Sequence, residues 1–292
     1  MPYPNVFHLP GEDISPSTDI KPAAISQPLI NSIPPDLLPR FDPVFAKYHA
    51  HYSAGRLATH QIPIKEFRAN PRKYNIVYGR AIAPDVHSIT DVQCPVTPSS
   101  DGKNSITVRI FEPAPTINEG KPRPVYINFH GGGWVFGGLE TDMEFCKRLV
   151  GELGCVVFDV DYRLAPEYQW PIPVDDCIEA FKWIESDEMV QKRNLDRQRF
   201  AVGGNWKVSP MLATNFEGLA PALILTAEMD PLRDEGKAYG EKMITAGSHA
   251  EVICLKGMPH TFMMMDDILE NGKRYNREAI RSLATVWGIA VK

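Results

Sequence analysis

A run of glycines between two aromatic side chains is the first stretch of this sequence whose residue types point to chemistry. His130 precedes Gly131, Gly132 and Gly133, and Trp134 follows them. Successive glycines let bare backbone N–H groups turn toward one point, where they can stabilise the oxyanion of a tetrahedral acyl-transfer intermediate. The alternative is a loop that needs only flexibility, but such a loop requires neither the histidine nor the tryptophan.

A second motif gives the sequence a family resemblance. Residues 161–167 read Asp-Tyr-Arg-Leu-Ala-Pro-Glu. Together with the glycine run, this segment resembles the hormone-sensitive-lipase group of α/β-hydrolases, which are carboxylesterases and lipases. The resemblance covers about residues 85 to 292, and residues 225–236 and 257–262 strengthen it. It implies an α/β-hydrolase fold with a doubly wound, mostly parallel sheet, N-terminal cap helices, an oxyanion hole at the three glycines and a Ser/Asp/His triad.

The same resemblance assigns two of the triad residues. Asp230, before Pro-Leu-Arg-Asp, matches the family acid, and His260 matches the family base. Each follows a predicted strand at its C-terminal end, where open α/β sheets place ligand-binding groups, and the acid precedes the base as this fold requires. A buried Asp230 would fix the imidazole tautomer. Asp230 could also cap a helix that starts near Pro231, and the two roles are compatible.

The family nucleophile has no counterpart in this chain. The family carries its serine in Gly-Asp-Ser-x-Gly-Gly, whereas Gly203 and Gly204 are followed here by Asn205, with Trp206 at the position of the serine. Tryptophan has no nucleophilic atom, and no Gly-x-Ser-x-Gly occurs in the sequence. Ser209 is a poor substitute because it precedes a proline, where the helical geometry of the elbow is disfavoured.

The linker after Gly204 is also short. Only 17 positions separate Gly204 from Pro221. Such a linker can join two parallel strands, but it cannot also supply the next family strand and its covering helices. We interpret this as an internal deletion after the fifth sheet strand, through alternative splicing, an error in the predicted gene structure or loss during divergence. The deletion predicts a gap or an exposed face in the sheet.

Hydrophobic patterning predicts the elements that would position these residues. From about Ile89 onward strands and helices alternate, which indicates a doubly wound parallel sheet. Strands are predicted at 106–110, 125–129, 155–160, 200–202, 222–225 and 252–255. Helices are predicted from Phe41 to about Ser53, after a capping box at 141–144, around 174–181 with Ile178 on the buried side, between the last two strands, and over about 276–289.

The expected domain organisation follows from these patterns. Residues 1–40 are rich in proline and form an arm, residues 41–85 form N-terminal cap or lid helices, and residues 86–292 form a truncated α/β-hydrolase domain.

Composition excludes several kinds of partner. The 292 residues contain 31 Lys and Arg against 36 Asp and Glu, a net charge of −5. Without a basic cluster, nucleic acid is not an expected partner. No apolar run approaches the roughly 18 residues of a membrane span. The N-terminus does not read as a secretory signal, and the five scattered cysteines read as reduced core residues, so we expect a cytoplasmic protein.

No metal or cofactor site is expected. His49, His51 and His60 could suggest a metal, but residues at i and i+2 face different sides of a helix and no carboxylate cluster accompanies them. No nucleotide-binding glycine pattern occurs either.

The sequence therefore predicts a protein of serine-hydrolase lineage whose partner is a small carboxylic ester or an apolar ligand. Because Trp206 replaces the nucleophile, we expect little or no turnover from this chain, and whether it is an enzyme stays open. The alternatives are a non-catalytic relative that binds a small ligand or a protein, and an unstable truncated isoform. The sequence does not determine the oligomeric state.

Overall fold

A computed structural model describes residues 31–57, 59–69, 79–117, 120–204, 211 and 213–290. The described strands are β1 (Ser88–Pro95), β2 (Ser105–Glu112), β3 (Arg123–Phe129), β4 (Val156–Asp161), β5 (Leu195–Gly204), β6 (Ala222–Ala227) and β7 (Ala250–Leu255). The described α-helices are α1 (Pro43–Tyr52), α2 (Ile64–Ala69), α3 (Met143–Leu153), α4 (Ile172–Glu185), α5 (Asp187–Arg193), α6 (Arg233–Thr245) and α7 (Glu270–Trp287). Short 3₁₀ helices cover Leu38–Arg40, Thr59–Gln61 and Phe262–Met265.

The chain divides into two compact units. The first comprises residues 1–81 and 210–277, and the second comprises residues 82–209 and 278–292. The first unit contains α1, α2, β6, α6, β7 and the start of α7. The second contains β1 to β5, α3, α4, α5 and the end of α7.

The second unit is built on a five-stranded sheet of order β1-β2-β4-β3-β5. β1 and β2 pair antiparallel, as do β2 and β4. β3 lies parallel to β4 on one side and to β5 on the other. Central parallel strands are covered on both faces, which explains why β3 and β4 are nearly continuous apolar runs.

Helices cover both faces of this sheet. In β4, Val156, Phe158 and Val160 pack into a core shared with α4 and α5. The neighbouring Cys155 and Val157 pack into the opposite core, shared with α3 and the end of α7. The side chains divide in this way because successive residues of a strand point to opposite faces.

The first unit contains a two-stranded parallel sheet of β6 and β7, connected by α6. The helix packs closely on this sheet because it carries a glycine at the contact. A Cβ on Gly240 would lie 2.3 Å from Cγ2 of Val252, a distance that no real contact allows. The apolar ends of both strands, Ala227 and Leu255, join a core with Phe45 of α1.

Helix α1 begins where the sequence predicts a short amphipathic helix. The Asp42 side chain accepts hydrogen bonds from the backbone N–H groups of Val44 and Phe45 at 2.9 and 3.1 Å, which is the usual role of an N-cap aspartate. The Asp42 N–H in turn donates to the Gly257 carbonyl at 3.0 Å. The start of α1 is thereby fixed to the loop after β7.

Two parallel strands lie at sheet edges. In the described chain β5 pairs with β3 alone, and β6 pairs with β7 alone. Val202 of β5 is 36% exposed, and residues 222–225 of β6 are only partly buried despite their apolar composition. Of the described residues between β5 and β6, which are 211 and 213–221, none belongs to a strand. The two separate sheets are consistent with an interrupted sheet, and the deletion itself stays a prediction.

The predicted α/β architecture is confirmed, and each predicted strand is present.

Four of the five cysteines are buried and none forms a disulfide. Burial raises the pKa of Cys155 to about 12. No helix in the described ranges has both the length and the apolar content that a membrane crossing requires.

Several local predictions are wrong. The capping box at 141–144 does not form, because Thr141 Oγ1 accepts from the Gly138 N–H and Glu144 accepts from the Ala83 N–H. Ile178 is 48% exposed, since α4 turns its Cys177, Ala180 and Ile184 side toward the core. The last helix begins at Glu270 rather than near residue 276, and α5 was not predicted.

Candidate active site

Parallel pairing of β6 and β7 brings the loops that follow the two strands to one edge of the sheet. Asp230 lies three residues beyond the end of β6, and His260 lies five residues beyond the end of β7. The Met229 N–H donates to the Met258 carbonyl at 2.9 Å, which ties the two loops together. The parallel pairing of β6 and β7 therefore places the acid Asp230 and the base His260 side by side.

The side chains of Asp230 and His260 form a short hydrogen bond. Nδ1 of His260 lies 2.6 Å from Oδ2 of Asp230. The other carboxylate oxygen, Oδ1, accepts from the backbone N–H of Leu232 at 2.8 Å. An ionised carboxylate can only accept, so Nδ1 carries the hydrogen and the lone pair of the neutral ring lies on Nε2. This is the tautomer that a general base needs.

The predicted helix-capping role of Asp230 is only partly correct. Helix α6 begins at Arg233, and its N-cap residue is Leu232, which makes no side-chain capping bond. Asp230 binds the N–H of that N-cap residue, one position before the helix proper. The same carboxylate thus serves both His260 and the start of α6.

Glu228 fixes the geometry of both loops, a role that the sequence analysis did not predict. Its Oε2 accepts from the Gly257 N–H at 2.9 Å, and its Oε1 lies 3.2 Å from Nζ of Lys256. The Gly257 N–H, followed by Lys256, lowers the pKa of Glu228. Arg233 donates to the Glu228 carbonyl at 2.8 Å. The only sequence feature that could have indicated this role is the position of Glu228, an acid two residues before Asp230.

The glycine run lies in the second unit, directly after β3. Gly132 has φ of +137°, and a Cβ at this position would lie 1.9 Å from the Phe136 carbonyl oxygen. The Phe136 N–H donates to the Gly132 carbonyl at 2.8 Å, which closes a tight turn. Only glycine fits this backbone, so Gly132 is required for the shape of the turn as well as for any role of its N–H.

The His130 side chain packs beneath the glycine run and supports it, and it does not face solvent. It is buried, and its Nδ1 lies 3.0 Å from the Gly131 carbonyl oxygen. Burial lowers the pKa of His130, so its ring is held neutral and its Nδ1–H donates to that carbonyl. Nε2 is buried with no hydrogen-bond partner among the described residues.

Tyr162 and Trp134 connect the glycine run to the second motif. The Tyr162 hydroxyl donates to the His130 carbonyl at 2.6 Å, and the two rings stack with centroids 4.3 Å apart. The Ala165 N–H donates to the Trp134 carbonyl at 2.8 Å. The role of Tyr162 was missed, although the two motifs follow the adjacent strands β3 and β4 and must meet at their ends.

A buried ion pair holds the second motif in place. Arg163 donates through Nε and its backbone N–H to Asp176 of α4, both at 2.9 Å to Oδ2. Arg163 also donates through Nη2 to the Thr97 carbonyl at 3.1 Å. Removal of either charge would leave the other buried and uncompensated.

The structure brings Asp230 and His260 together in the first unit and places His130, Gly131, Gly132, Gly133 and Trp134 in one loop of the second. Trp206, at the predicted position of the nucleophile, and Ser209 lie outside the described residues. In the part of the chain that the structure describes, no group of three or more His, Cys, Asp and Glu side chains could hold a metal ion.

Comparison with known proteins identifies relatives of the same architecture. A profile of the alpha/beta hydrolase fold matches residues 126–206 and 205–264. An AB hydrolase superfamily protein of Schizosaccharomyces pombe is 26% identical over an alignment that covers 84% of this chain and 93% of the relative. The ethyl acetate hydrolase of Pseudomonas putida is 25% identical, with coverages of 78% and 94%. An ester hydrolase from the metagenome of Lake Arreo has a structure with a TM-score of 0.72 and 26% identity, and the match covers 85% of this chain and 99% of that one.

Two features of these alignments bear on the predicted internal deletion. The profile matches in two pieces that meet at residues 205–206. The alignment with the S. pombe protein is 325 positions long, longer than the whole 292-residue chain. The relative therefore has residues without any counterpart in this chain.

Proposed function

We propose that this chain, which matches the alpha/beta hydrolase fold and is similar to these esterases, is a carboxylic-ester hydrolase by descent and has lost most of that activity. The observation that carries the first half is the hydrogen bond of 2.6 Å between Nδ1 of His260 and the Asp230 carboxylate. This geometry supports a histidine that takes and returns a proton during acyl transfer.

The other parts of the lineage's chemistry have assigned residues as well. In an intact member of the lineage a serine attacks the ester carbonyl. The histidine that corresponds to His260 takes and returns the serine's proton, and the acid that corresponds to Asp230 orients that histidine. The N–H groups of Gly131 and Gly132, with Gly133 next to them, would stabilise the oxyanion. The tight turn at Gly132 supports this assignment. The substrate would be a small carboxylic ester, and the activity named for the P. putida relative, hydrolysis of ethyl acetate, is of that class.

The second half of the proposal concerns the missing nucleophile. Trp206 occupies the position of the serine, and the sequence contains no Gly-x-Ser-x-Gly. The division of the profile match at residues 205–206 supports an internal deletion at this point. Loss of a triad serine costs about 10⁶ in kcat, while binding and an oxyanion hole can retain about 10³ to 10⁴ over water. Turnover of carboxylic esters should therefore be about 10⁶-fold lower than in an intact esterase.

The test combines a serine-directed probe with a kinetic assay. A fluorophosphonate probe, which reacts with activated serines, should not label the purified protein, and p-nitrophenyl butyrate should be hydrolysed far more slowly than by an intact esterase. Ser209→Ala serves as the control, because Ser209 is the first serine after Asn205 and Trp206, which stand at the expected elbow. If the probe labels the wild-type protein and Ser209→Ala abolishes the labelling, a serine nucleophile is present and the proposed loss of activity is wrong.

A further inference from the structure

The connection between β1 and β2 contains the only Asp-Gly pair of the sequence. Asp101 and Gly102 are both exposed. Gly102 has a φ of +83°, and nothing lies within 4 Å of a Cβ added at this position. An aspartate followed by glycine is the pair whose backbone rearranges most readily, because no side chain hinders the approach of the glycine nitrogen to the aspartate carboxyl group. This connection therefore has the sequence that such a rearrangement requires.

Three hydrogen bonds hold the Asp101 carboxylate. Its Oδ2 accepts from the Tyr168 hydroxyl at 2.6 Å. Its Oδ1 accepts from the Ser99 hydroxyl at 2.5 Å and from the Lys103 N–H at 3.1 Å. The bonds from Ser99 and then Tyr168 lower the pKa of Asp101 to about 2, because each donor stabilises the charged form. The carboxyl group is therefore ionised throughout the physiological pH range.

The position of Tyr168 does not depend on Asp101. The Tyr168 N–H donates to the Leu164 carbonyl at 3.0 Å. The Tyr168 ring also lies near two cations, with Nζ of Lys103 5.7 Å and Cζ of Arg163 5.3 Å from its centroid. Arg163 is itself buried and fixed by its ion pair. The Tyr168 hydroxyl therefore reaches Asp101 from a fixed point in the loop after β4.

We propose that Asp101 is a site of isoaspartate formation and that the Tyr168 hydroxyl controls this modification. While the hydroxyl binds Oδ2, the carboxylate stays ionised and held in place, and the reaction is slow. When the bond opens, the backbone between Asp101 and Gly102 rearranges. This inference goes beyond the proposed function and does not depend on it.

The rearrangement balances with water as the only co-reactant. The backbone nitrogen of Gly102 forms a bond to Cγ of the protonated Asp101 side chain, and the carboxyl hydroxyl leaves as water with the proton of that nitrogen. The product is a five-membered succinimide ring. Water then adds to the ring carbonyl that belonged to the main chain of Asp101, and the bond from this carbon to the Gly102 nitrogen breaks. The chain now runs through the Asp101 side chain, and its mass is unchanged.

The native hydrogen bonds oppose both partners of this reaction. An ionised carboxylate has no hydroxyl to release as water, so the charged form of Asp101 reacts slowly. The Gly102 N–H donates to the Ser99 carbonyl at 2.8 Å, which directs the hydrogen of the attacking nitrogen toward Ser99. Both the carboxylate and the nitrogen must therefore leave their native bonds before the ring can close.

Isoaspartate at this position would weaken the contacts of the buried Arg163 side chain. Nη1 of Arg163 donates to the Lys103 carbonyl at 3.3 Å, and Nη2 donates to the Thr97 carbonyl at 3.1 Å. Isoaspartate adds one carbon to the backbone before Gly102 and so displaces the Lys103 carbonyl. Loss of an acceptor from a buried guanidinium is costly, so the isomerised protein should have a lower melting temperature than the unmodified protein.

The experiment incubates the full chain at physiological temperature and pH and measures isoaspartate in the tryptic peptide of residues 81–103. Methylation by protein L-isoaspartyl methyltransferase and fragment ions quantify the product. Tyr168→Phe should raise the rate about three- to tenfold, which corresponds to a carboxyl pKa higher by about half to one unit. Tyr239→Phe is the matched control, because Tyr239 is also a half-buried tyrosine, and its rate should equal that of the wild type.

Two further variants test the assignment. Ser99→Ala removes a different bond to the same carboxylate and should also raise the rate, which keeps the proposal testable if Tyr168→Phe does not fold. Asp101→Glu should abolish the isoaspartate signal, although Asp85 and Asp91 remain in the same peptide. Circular dichroism verifies the fold of each variant.

The chain unfolded in guanidinium chloride supplies the unprotected rate. We expect this rate to exceed that of the folded wild type. Equal rates in the folded and unfolded chains, or equal rates in the wild type and in folded Tyr168→Phe, would show that the hydroxyl does not control the reaction. Isoaspartate that persists in Asp101→Glu would show that another residue is modified. Each of these results overturns the proposal.

Discussion

Asp159 places a carboxyl group in the middle of β4, where no solvent reaches it. Its Oδ1 accepts from Nδ2 of Asn128 at 2.8 Å, while Oδ2 has no hydrogen-bond partner among the described residues. Burial raises the pKa of Asp159 well above its ordinary value, because a charge without a counter-ion is costly in a region of low dielectric. The folded protein therefore keeps this acid protonated to a higher pH than the unfolded chain does.

Protonation of Asp159 makes stability depend on pH. Because its pKa is higher in the folded state than in the unfolded chain, the folded state binds the extra proton, and stability falls as pH rises from about 4 through the raised value. We expect Asp159→Asn to remove this part of the decline, since an amide does not titrate. Urea unfolding at pH values between 4 and 8 measures the effect.

The control for this prediction is Asp85→Asn, because the Asp85 side chain is 99% exposed. It should keep the pH dependence of the wild type. Identical pH profiles for Asp159→Asn and the wild type would show that Asp159 is not protonated in the folded state.

The contact between α6 and β7 requires a residue without a side chain. At Gly240 an added Cβ would lie 2.3 Å from Cγ2 of Val252 and 3.1 Å from Cδ1 of Ile224. Gly151 of α3 is the opposite case, since nothing lies within 4 Å of an added Cβ. The two positions separate the cost of packing from the intrinsic preference of alanine for helices.

Gly240→Ala should destabilise the protein by about 1 to 3 kcal/mol, because α6 would be pushed away from the sheet. Gly151→Ala should stabilise it by up to about 1 kcal/mol, because alanine loses less backbone entropy in a helix. Urea unfolding followed by circular dichroism compares the two variants with the wild type. Equal effects of the two substitutions would mean that α6 does not approach the sheet as closely as described.

The two compact units differ in how much sheet they contain. The second unit has five strands, whereas the first has two. Sheets usually need three or more strands with an apolar face, or a packed helix, for independent stability. The first unit relies on α6 and on the core around Phe45 and Leu255 for its stability, so we expect it to unfold first.

Tryptophan fluorescence can observe the second unit by itself. All five tryptophans of the sequence fall within residues 82–209 and 278–292, whereas far-ultraviolet circular dichroism observes the helices of both units. We expect the circular dichroism signal to begin its transition at a lower urea concentration than the fluorescence signal, since non-coincident transitions indicate more than two states.

Met243→Ala, which removes a buried side chain of α6, should move the early circular dichroism change to still lower urea and leave the fluorescence midpoint in place. Coincident transitions in both proteins would show that the two units unfold as one.

The sequence alone predicted the candidate site residues and most of the elements in their order, although it did not predict α5. Asp230 and His260 could be assigned because their motifs resemble those of the hormone-sensitive-lipase group, and Gly132 because an oxyanion hole requires a bare backbone N–H after a strand. The strands were predictable because a buried strand needs an apolar run. Ile178 was misjudged because helical periodicity defines a face but does not say which direction the tertiary structure will bury.

Only the tertiary structure decided which groups meet. The distance of 2.6 Å between Asp230 and His260 depends on the parallel pairing of β6 with β7. No local sequence pattern specifies that pairing. The bond from Tyr162 to the His130 carbonyl and the contacts of Glu228 also join residues from different strand ends. Hydrogen bonds between distant residues are set by the register of strands and by helix packing, so residue types predict the candidates and the fold selects the partners.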